Sequence, residues 1–190
     1  MSAHAHTPLT EEEYFALDSA AEFKNEFYDG VMYAMAGTTP THSLITANLT
    51  RELGLALKQR PCRVYVTDLR VRANRDTYTY PDIAVVCSEP RFAENNKNTL
   101  INPTVLVEVL SPSTESHDRG LKFHRYRQLE SLQEYVLVSQ SEPRVEIFRR
   151  QQSGSWLLTE FTTLDSSAPF DSLDCKISLG EIYHQVEFTE

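Results

Sequence analysis

Cysteine is scarce in this sequence, occurring three times in 190 residues, at Cys62, Cys87 and Cys175. The three positions lie far apart, are odd in number and form no Cys-x-x-Cys pair. Disulfide scaffolds and thiolate zinc sites use even or closely spaced sets of cysteines. The sequence therefore predicts neither a disulfide framework nor a cysteine zinc site, and we expect a protein of the reducing cytoplasm.

Long hydrophobic runs are also missing. No segment approaches the roughly 20 apolar residues that a membrane helix needs, and the N-terminus lacks the apolar stretch of a signal peptide. We expect residues 1–9 to be a flexible leader, which we favour over a metal-binding tract at His4 and His6. The length suits one domain over residues 1–190, with an acidic tail of uncertain structure at residues 171–190.

Basic residues are the third shortage, with 18 lysines and arginines against 27 acidic residues and a formal net charge of −9. This acidity excludes a protein that coats nucleic acid or an anionic membrane by charge alone. Residues 58–75 nevertheless carry six basic side chains, and residues 119–127 carry four. These segments leave room for a local rim of basic side chains around a functional site. The alternative is that the basic side chains only cover the solvent-facing sides of ordinary helices and strands.

The chain contains signals for alternating helices and strands. Thr10 with Glu13 forms a capping box that opens one helix, Asp29-Gly30 supplies a tight hairpin turn, and Thr39-Pro40 begins a second helix. Residues 104–110 are apolar on both faces, which is typical of the middle of a covered sheet. A helix follows at about 116–129 and a polar loop is expected at 89–102. Further strands are predicted at 64–71, 82–87, 134–139, 144–149 and 156–162.

These elements predict an α/β fold. A mixed central β-sheet is flanked by helices, and the last three strands form a C-terminal antiparallel meander, because turn sequences join them.

Glu108 is anomalous, because it lies inside the most hydrophobic strand and shares a face with Leu106 and Leu110. A lone carboxylate there is costly, so we expect it to be ion-paired, hydrogen-bonded or metal-bound. A structural Glu–Arg or Glu–Lys pair, or an edge position, explains it as well as a functional role does.

Lys122 is the second anomaly. Tyr126 and Leu129 follow at i+4 and i+7, so the lysine lies on the inward face of its helix. Snorkelling of the ammonium to water is the alternative. The helix directly follows the Glu108 strand, and functional sites collect where such strands end. We therefore expect that Lys122 and Glu108 can meet.

Asp82 opens a strand directly after Pro81, where a turn or edge role is the simpler interpretation. Together with Glu108 it supplies two carboxylates on two strands, the minimum for holding Mg²⁺. Two weaker signals are His42, which a packing or capping role explains more simply, and Glu26, which reads as a solvated hairpin charge.

Five segments carry a resemblance to a known family. They are Glu26-Phe-Tyr-Asp-Gly30, His42, Tyr80-Pro81-Asp82, Val107-Glu108-Val-Leu-Ser-Pro-Ser-Thr114, and Asp118-Arg-Gly-Leu-Lys122 with Tyr126. In order and spacing the chain resembles, over about residues 10–160, the Uma-type putative restriction endonucleases. That family is a branch of the PD-(D/E)xK nuclease-like superfamily, so the resemblance implies a restriction-endonuclease-like core.

The resemblance also implies roles. Asp82 matches the motif aspartate and Glu108 the acidic residue of the next strand. The usual ExK lysine would fall on Leu110, which cannot serve, and Lys122 occupies the displaced place in the following helix. Glu26 and His42 match further polar positions around the pocket.

We therefore expect a metal-dependent endonuclease that hydrolyses phosphodiester bonds of DNA. Asp82 and Glu108 would hold Mg²⁺ or Mn²⁺, with the Val109 carbonyl as a further ligand. Lys122, its pKa depressed by burial beside the cation, would orient or deprotonate the attacking water.

Two further roles follow from the same expectation. Glu26 would complete a second metal position or hold His42, and His42 would protonate or position the leaving group.

Two other function classes remain open. One is a nuclease-fold protein without catalysis that binds DNA or takes part in assembly. The other is a carboxylate-pair hydrolase of sugars, which Lys122 and the lack of an aromatic-rich groove disfavour. A homodimer is compatible with a fold of this size, but nothing in the chain fixes the oligomeric state.

Overall fold

Helices and strands begin at the predicted signals in a computed structural model that describes residues 8–35, 37–94 and 96–188. His4, His6 and most of the expected leader lie outside the described residues. The helical segments are α1 (Glu11–Ala20), α2 (Pro40–Ala56), α3 (Glu115–His117), a π-helical turn (Asp118–Lys122), α4 (Phe123–Tyr126), a 3₁₀ helix (Asp171–Leu173) and α5 (Leu179–Ile182).

The strands alternate with these helices along the chain. They are β1 (Asn25–Tyr28), β2 (Val31–Ala34), β3 (Arg63–Val66), β4 (Arg70–Asn74), β5 (Thr77–Thr79), β6 (Ile83–Val86), β7 (Phe92–Ala93), β8 (Asn96–Leu100), β9 (Val105–Leu110), β10 (Glu134–Ser139), β11 (Val145–Arg150), β12 (Trp156–Phe161), β13 (Ser167–Phe170) and β14 (Cys175–Ser178).

The central sheet has the strand order β12-β11-β10-β9-β6-β3. It is mixed, because β9 and β10 run parallel whereas the other neighbours are antiparallel. All six residues of β9 are buried, which confirms its predicted place in the middle of a covered sheet. The meander β10-β11-β12 is also confirmed. The fold is therefore the expected α/β architecture.

A second sheet, with the order β2-β1-β5-β4-β8-β7, packs against the first and corrects two expectations. The strand predicted at residues 64–71 is broken, because Asp68 adopts a φ of 70° and turns the chain from β3 in the central sheet to β4 in the second. The polar loop predicted at residues 89–102 contains β7 and β8. The strand pairings of the second sheet join segments that are distant in sequence, so the local sequence pattern gives little indication of them.

The first hairpin of the second sheet has the predicted turn. Asp29 and Gly30 have φ angles of 49° and 88°, the positive values that a tight primed turn requires. A Cβ atom at Gly30 would lie 2.4 Å from the Cβ of Pro8, so the position also needs glycine for space. Leu9, within the expected leader, donates its backbone N–H to the Gly30 carbonyl.

The two faces of the central sheet bury different layers. On one face α2 packs its stripe of Ile45, Leu49 and Leu53, and α5 joins the same cluster. On the other face the helical segment around Tyr126 and residues of the second sheet form a separate cluster. Each fully buried side chain of this size contributes about 1.5–3 kcal/mol.

The C-terminal segment packs against the central sheet. Its anchor is Glu134, a fully buried carboxylate at the start of β10. Glu134 accepts hydrogen bonds from Arg149 Nε at 2.8 Å and from the backbone N–H of Asp171 at 3.1 Å. Residues 171–182, predicted only as part of an acidic tail, thereby pack against the central sheet.

The expectation that no disulfide forms is wrong. Cys62 and Cys87 are bonded, with their Cα atoms 4.0 Å apart. The antiparallel register of β3 and β6 pairs Arg63 with Val86, which places the two flanking cysteines opposite each other. Their separation of 25 residues hid this contact from the sequence. In the described part of the chain, no helix has the length and apolarity to span a bilayer.

Candidate functional site

Lys122 and Glu108 meet as the sequence predicted. The Lys122 Nζ atom lies 3.0 Å from Glu108 Oε1, and both side chains are buried. Tyr126, one turn further along the helix, donates its hydroxyl to the same oxygen at 3.0 Å. A lysine from the helix and a carboxylate from β9 therefore form one buried pair.

Glu26 holds the same ammonium from the other side. Its Oε1 atom lies 3.0 Å from Lys122 Nζ and accepts the backbone N–H of Tyr80 at 3.1 Å. Its Oε2 atom accepts the hydroxyl of Tyr28 at 2.9 Å. Burial works against the charge, but Lys122, His117 and the Tyr80 N–H together lower the pKa of Glu26 to about 2. Glu26 is therefore a buried carboxylate that fixes the lysine, not a solvated hairpin charge.

Lys122 is the last residue of a π-helical turn, Asp118–Lys122. Asp118 is buried in this turn, with Oδ1 3.6 Å from Lys122 Nζ, and its carbonyl accepts the Tyr135 hydroxyl at 3.0 Å. π-Helical turns inside α-helices often occur at functional sites. The sequence reasoning missed both the turn and Asp118, although Asp118 belongs to the family-like string.

The charges in this cluster are strongly coupled. Burial raises the pKa of Glu108 well above its ordinary value, against the effect of Lys122, and nearby carboxylates such as Asp118 add to the rise. For Lys122, burial opposes the charge, but Glu108 and Glu26 raise its pKa above the ordinary value. Three carboxylates surround the ammonium, so without a bound cation its pKa is raised, whereas the expectation of a depressed pKa concerns a lysine beside the cation.

Asp82 lies at the end of β6, next to the Glu108 strand. Ile83 pairs with Val107, so Asp82 stands opposite Glu108 at the edge of that pairing. The Asp82 Oδ2 atom accepts the backbone N–H of Val109 at 2.7 Å. The two strands thus bring both predicted metal ligands to one place.

His42, in the first turn of α2, contacts Asp82. Its Nε2 atom lies 3.2 Å from Asp82 Oδ2. Burial tends to lower the pKa of His42, but Asp82 and the Val109 backbone outweigh burial and raise it. The expected contact between Glu26 and His42 is absent from the described structure, since His42 sits on the other side of the cluster.

His117 takes the place beside Glu26 and was missed by the sequence reasoning. Its Nε2 atom lies 3.0 Å from the Tyr28 hydroxyl and 3.6 Å from Glu26 Oε2. The side chain is about one-third exposed, at 32%. His117 and Lys122 are five residues apart, a spacing that separates faces in an α-helix, so only knowledge of the π-helical turn would have grouped them.

The donor atoms fit a hard divalent cation. Among the described residues, no hydrogen bond ends on Asp82 Oδ1 or Glu108 Oε2, which leaves one oxygen of each carboxylate for a ligand. In the same residues, no group of three or more His, Cys, Asp or Glu side chains is arranged to hold a metal. Mg²⁺ is commonly held by one or two carboxylates, waters and substrate phosphates. Glu26 has both oxygens occupied, which does not suit a second metal position.

Besides Lys122, five of the ten basic side chains that left room for a rim are paired with carboxylates from other segments. The ion pairs are Arg60–Asp174, Arg63–Glu89, Arg70–Asp18, Arg119–Glu146 and Arg125–Asp29. These pairs reduce the positive charge available for a basic rim, because segment counts ignore acidic partners that are distant in sequence.

Comparison with known proteins gives consistent matches. A family described as Uma2, putative restriction endonuclease, matches residues 11–180. Two uncharacterized proteins of Synechocystis sp. are similar: sll1609 is 38% identical over 80% of this chain and 86% of its own length, and slr1290 is 33% identical over 97% and 99%. The crystal structure of a putative nuclease belonging to DUF820 from Anabaena variabilis has a TM-score of 0.78. It is 24% identical and covers 95% of this chain and 100% of its own, which supports the fold.

Proposed function

Since the chain belongs to the Uma2 family, described as putative restriction endonucleases, we propose that it is a metal-dependent endonuclease that hydrolyses phosphodiester bonds of DNA. Asp82 and Glu108 hold Mg²⁺ or Mn²⁺ in this proposal, with the Val109 carbonyl as a further ligand. When bound, the cation supplies charge neutralisation at the phosphate and a lowered pKa for water.

One observation carries the proposal: the buried Lys122 ammonium lies 3.0 Å from Glu108, and Asp82 stands opposite Glu108 on the neighbouring strand. A lysine and two carboxylates at adjoining strand ends are the groups that phosphodiester hydrolysis needs. A purely structural ion pair does not require a second carboxylate with a free oxygen beside it.

The role of Lys122 follows from its charge. Because Glu108 and Glu26 keep its pKa high, the side chain is an ammonium that donates hydrogen bonds and cannot accept a proton. It orients the attacking water and stabilises the negative charge that develops on the phosphate oxygens. Glu26 and Tyr126 hold the ammonium and Glu108 in place.

His42 is the candidate for the proton that the leaving oxygen needs. Its ring is held by Asp82, which favours the protonated form. A protonated imidazole beside the metal ligands can position or protonate a leaving group.

The test is a cleavage assay with supercoiled plasmid, linear duplex, single-stranded DNA and RNA, with Mg²⁺ or Mn²⁺ and with EDTA. We expect cleavage of DNA that needs the metal and falls at least about 100-fold in Asp82→Ala, Glu108→Ala and Lys122→Ala. Asp165→Ala and Lys58→Ala are matched controls, because both side chains are exposed. Full activity of Glu108→Ala would overturn the proposal.

A second candidate is a nuclease-fold protein without catalysis that binds DNA or takes part in assembly. The observation that favours it is that the Lys122 ammonium and the Tyr126 hydroxyl already occupy Glu108 Oε1, while no group of three or more His, Cys, Asp or Glu side chains among the described residues is arranged to hold a metal. A calorimetric titration that finds no Mg²⁺ or Mn²⁺ site dependent on Asp82 and Glu108 would support this candidate over the enzyme.

A further inference from the structure

A cleft of about 530 Å³ opens between α4 and the β11–β12 hairpin. Its volume lies in the range of small-molecule sites. Aromatic rings and guanidinium groups dominate its wall: Phe123, Phe148, Trp156, Arg127 and Arg150. The proposed chemistry does not use these residues.

The aromatic rings are held by their packing. Trp156 meets Phe123 edge to face, with ring centroids 5.4 Å apart and an interplanar angle of 85°. Phe123 in turn packs 4.4 Å from Phe148 and stacks on the buried Tyr135 at 5.3 Å. Rigid aromatic surfaces bind flat ligands with little loss of side-chain entropy.

Arg150 adds a fixed planar cation. Its Nε atom donates to the Leu132 carbonyl at 2.8 Å, and its Nη2 atom donates to the carbonyls of Leu129 and Arg127 at 2.7 and 2.8 Å. The guanidinium lies 4.6 Å from the centre of the Trp156 ring. Its partners are backbone carbonyls at the end of the helical segment, so no carboxylate charge cancels it in these contacts.

Arg127 is the exposed cation of the cleft. It lies 5.9 Å over the Phe123 ring and shares a hydrogen bond with His124 Nδ1 at 2.8 Å. This differs from Arg119 and Arg125 on the same segment, which are paired with carboxylates. Among the described residues no carboxylate lies within ion-pair distance of Arg127 or Arg150, although Glu130 acts on Arg150 from further away. In an acidic chain, two such arginines facing an aromatic cleft indicate an anionic ligand with a flat ring.

The cleft adjoins the candidate site. Phe123 directly follows Lys122, and Arg127 directly follows Tyr126, whose hydroxyl donates to Glu108. One short helix therefore presents the ammonium and its tyrosine to the carboxylate cluster and presents the aromatic–arginine cleft on an adjacent face. A chain molecule bound to both the cleft and the carboxylate cluster would have to span about one helix diameter, ~10 Å, between them.

We propose that this cleft binds an unpaired nucleobase of a single-stranded nucleic-acid segment, close to the phosphate that is cleaved. The base stacks on the Trp156 ring and meets the perpendicular Phe123 ring with its edge, and Arg127 meets a neighbouring phosphate. This rests on the proposed function and specifies its substrate class as nucleic acid with unpaired bases beside the cleaved bond. Aromatic stacking and arginine contacts are the general means of binding single strands.

Trp156 is the only tryptophan in the sequence, so its fluorescence reports on the cleft directly. The experiment titrates the full chain, in EDTA to prevent cleavage, with an octamer of thymidylate. An abasic octamer with the same number of phosphates and an octamer duplex serve as comparison ligands. We expect the thymidylate octamer to quench the fluorescence. The dissociation constants of the two comparison ligands, measured by the same quenching, should be at least about 5-fold higher.

Variants separate the cleft from general charge. Arg127→Gln removes the exposed cation, and we expect it to weaken thymidylate binding about 5-fold or more. Phe123→Leu should weaken it by a similar factor through the lost contact with the base. Lys58→Gln is the control, because it changes one charge on an exposed residue at the end of α2, which packs on the opposite face of the central sheet. We expect this control to bind like the unmodified protein.

Each outcome decides the proposal. Equal quenching by the abasic octamer would show a phosphate site without base stacking. Equal quenching by the duplex would show that the cleft does not need an unpaired base. Either result overturns the inference. Binding seen by anisotropy without a change in Trp156 fluorescence would place the nucleic acid elsewhere. A protein that cleaves DNA without this quenching refutes the cleft alone, whereas quenching without cleavage refutes the nuclease alone.

Discussion

Replacing Lys122 by methionine tests the buried charge cluster most directly. Methionine keeps much of the aliphatic volume but removes the ammonium that both Glu26 and Glu108 contact at 3.0 Å. Burial already raises the pKa of Glu108, so this carboxyl takes up a proton readily. The uncompensated charge therefore falls on Glu26, and the variant should unfold more easily.

The loss of unfolding free energy in Lys122→Met can be estimated in two ways. Removing one partner of a buried ion pair costs about 3 to 5 kcal/mol. Independently, the pKa of Glu26 lies at about 2 against an ordinary value of 4.5. That difference corresponds to about 3 kcal/mol of stability, fully present above pH 4.5 and lost as the pH falls towards 2. We therefore expect Lys122→Met to lose about 3 kcal/mol at neutral pH.

The assay is urea unfolding at about pH 7 and about pH 4. The deficit of Lys122→Met should shrink at the lower pH, because Glu26 without its lysine is protonated there. Adding Glu26→Gln to Lys122→Met should restore part of the stability at neutral pH, since the buried charge is then gone. Lys58→Met is the control and should stay within about 0.5 kcal/mol.

Two results would refute this reasoning. A Lys122→Met protein as stable as the unmodified chain would show that the ammonium does not compensate the buried carboxylates. A deficit that is the same at both pH values would show that the loss comes from packing alone.

Two further predictions concern the disulfide and the metal-free site. Without reductant the native protein should present one titratable thiol, Cys175. Reduction should expose Cys62 and Cys87 and lower the free energy of unfolding by about 3 kcal/mol, as a 25-residue loop implies. Three thiols before reduction would contradict this prediction. Asp82→Asn should lower the pKa of His42, because in the native protein the effect of Asp82 on His42 outweighs that of burial. The measurement is an NMR titration of His42 in EDTA, and an unchanged midpoint in the variant would contradict the prediction.

The part of the site that follows local periodicity could be predicted from the sequence. The period of two placed Glu108 inward on β9, and the i+4 spacing placed Lys122 and Tyr126 on one helix face. Their meeting is confirmed by the distances of 3.0 Å. These arguments succeed because each uses a spacing within one element, and the strand and helix are consecutive.

The part that depends on pairing between distant segments could not be predicted. Cys62 faces Cys87 only through the register of β3 and β6, and the contact of His117 with Tyr28 joins residues 89 positions apart. Charge shows the same limit. The basic count between residues 58 and 75 was correct, but acidic residues from other segments pair with three of those six side chains.

The π-helical turn has a consequence for how this chain can change in length. Gly120, in the middle of the turn, has open space around it. Deleting this one residue would leave His117 and Lys122 four positions apart, a spacing that places both side chains on one face of a regular α-helix. The extra residue of the turn therefore separates the two side chains in sequence without separating them in space. We expect this stretch to tolerate the loss of Gly120 better than the insertion of a further residue, which would turn His117 away from Lys122.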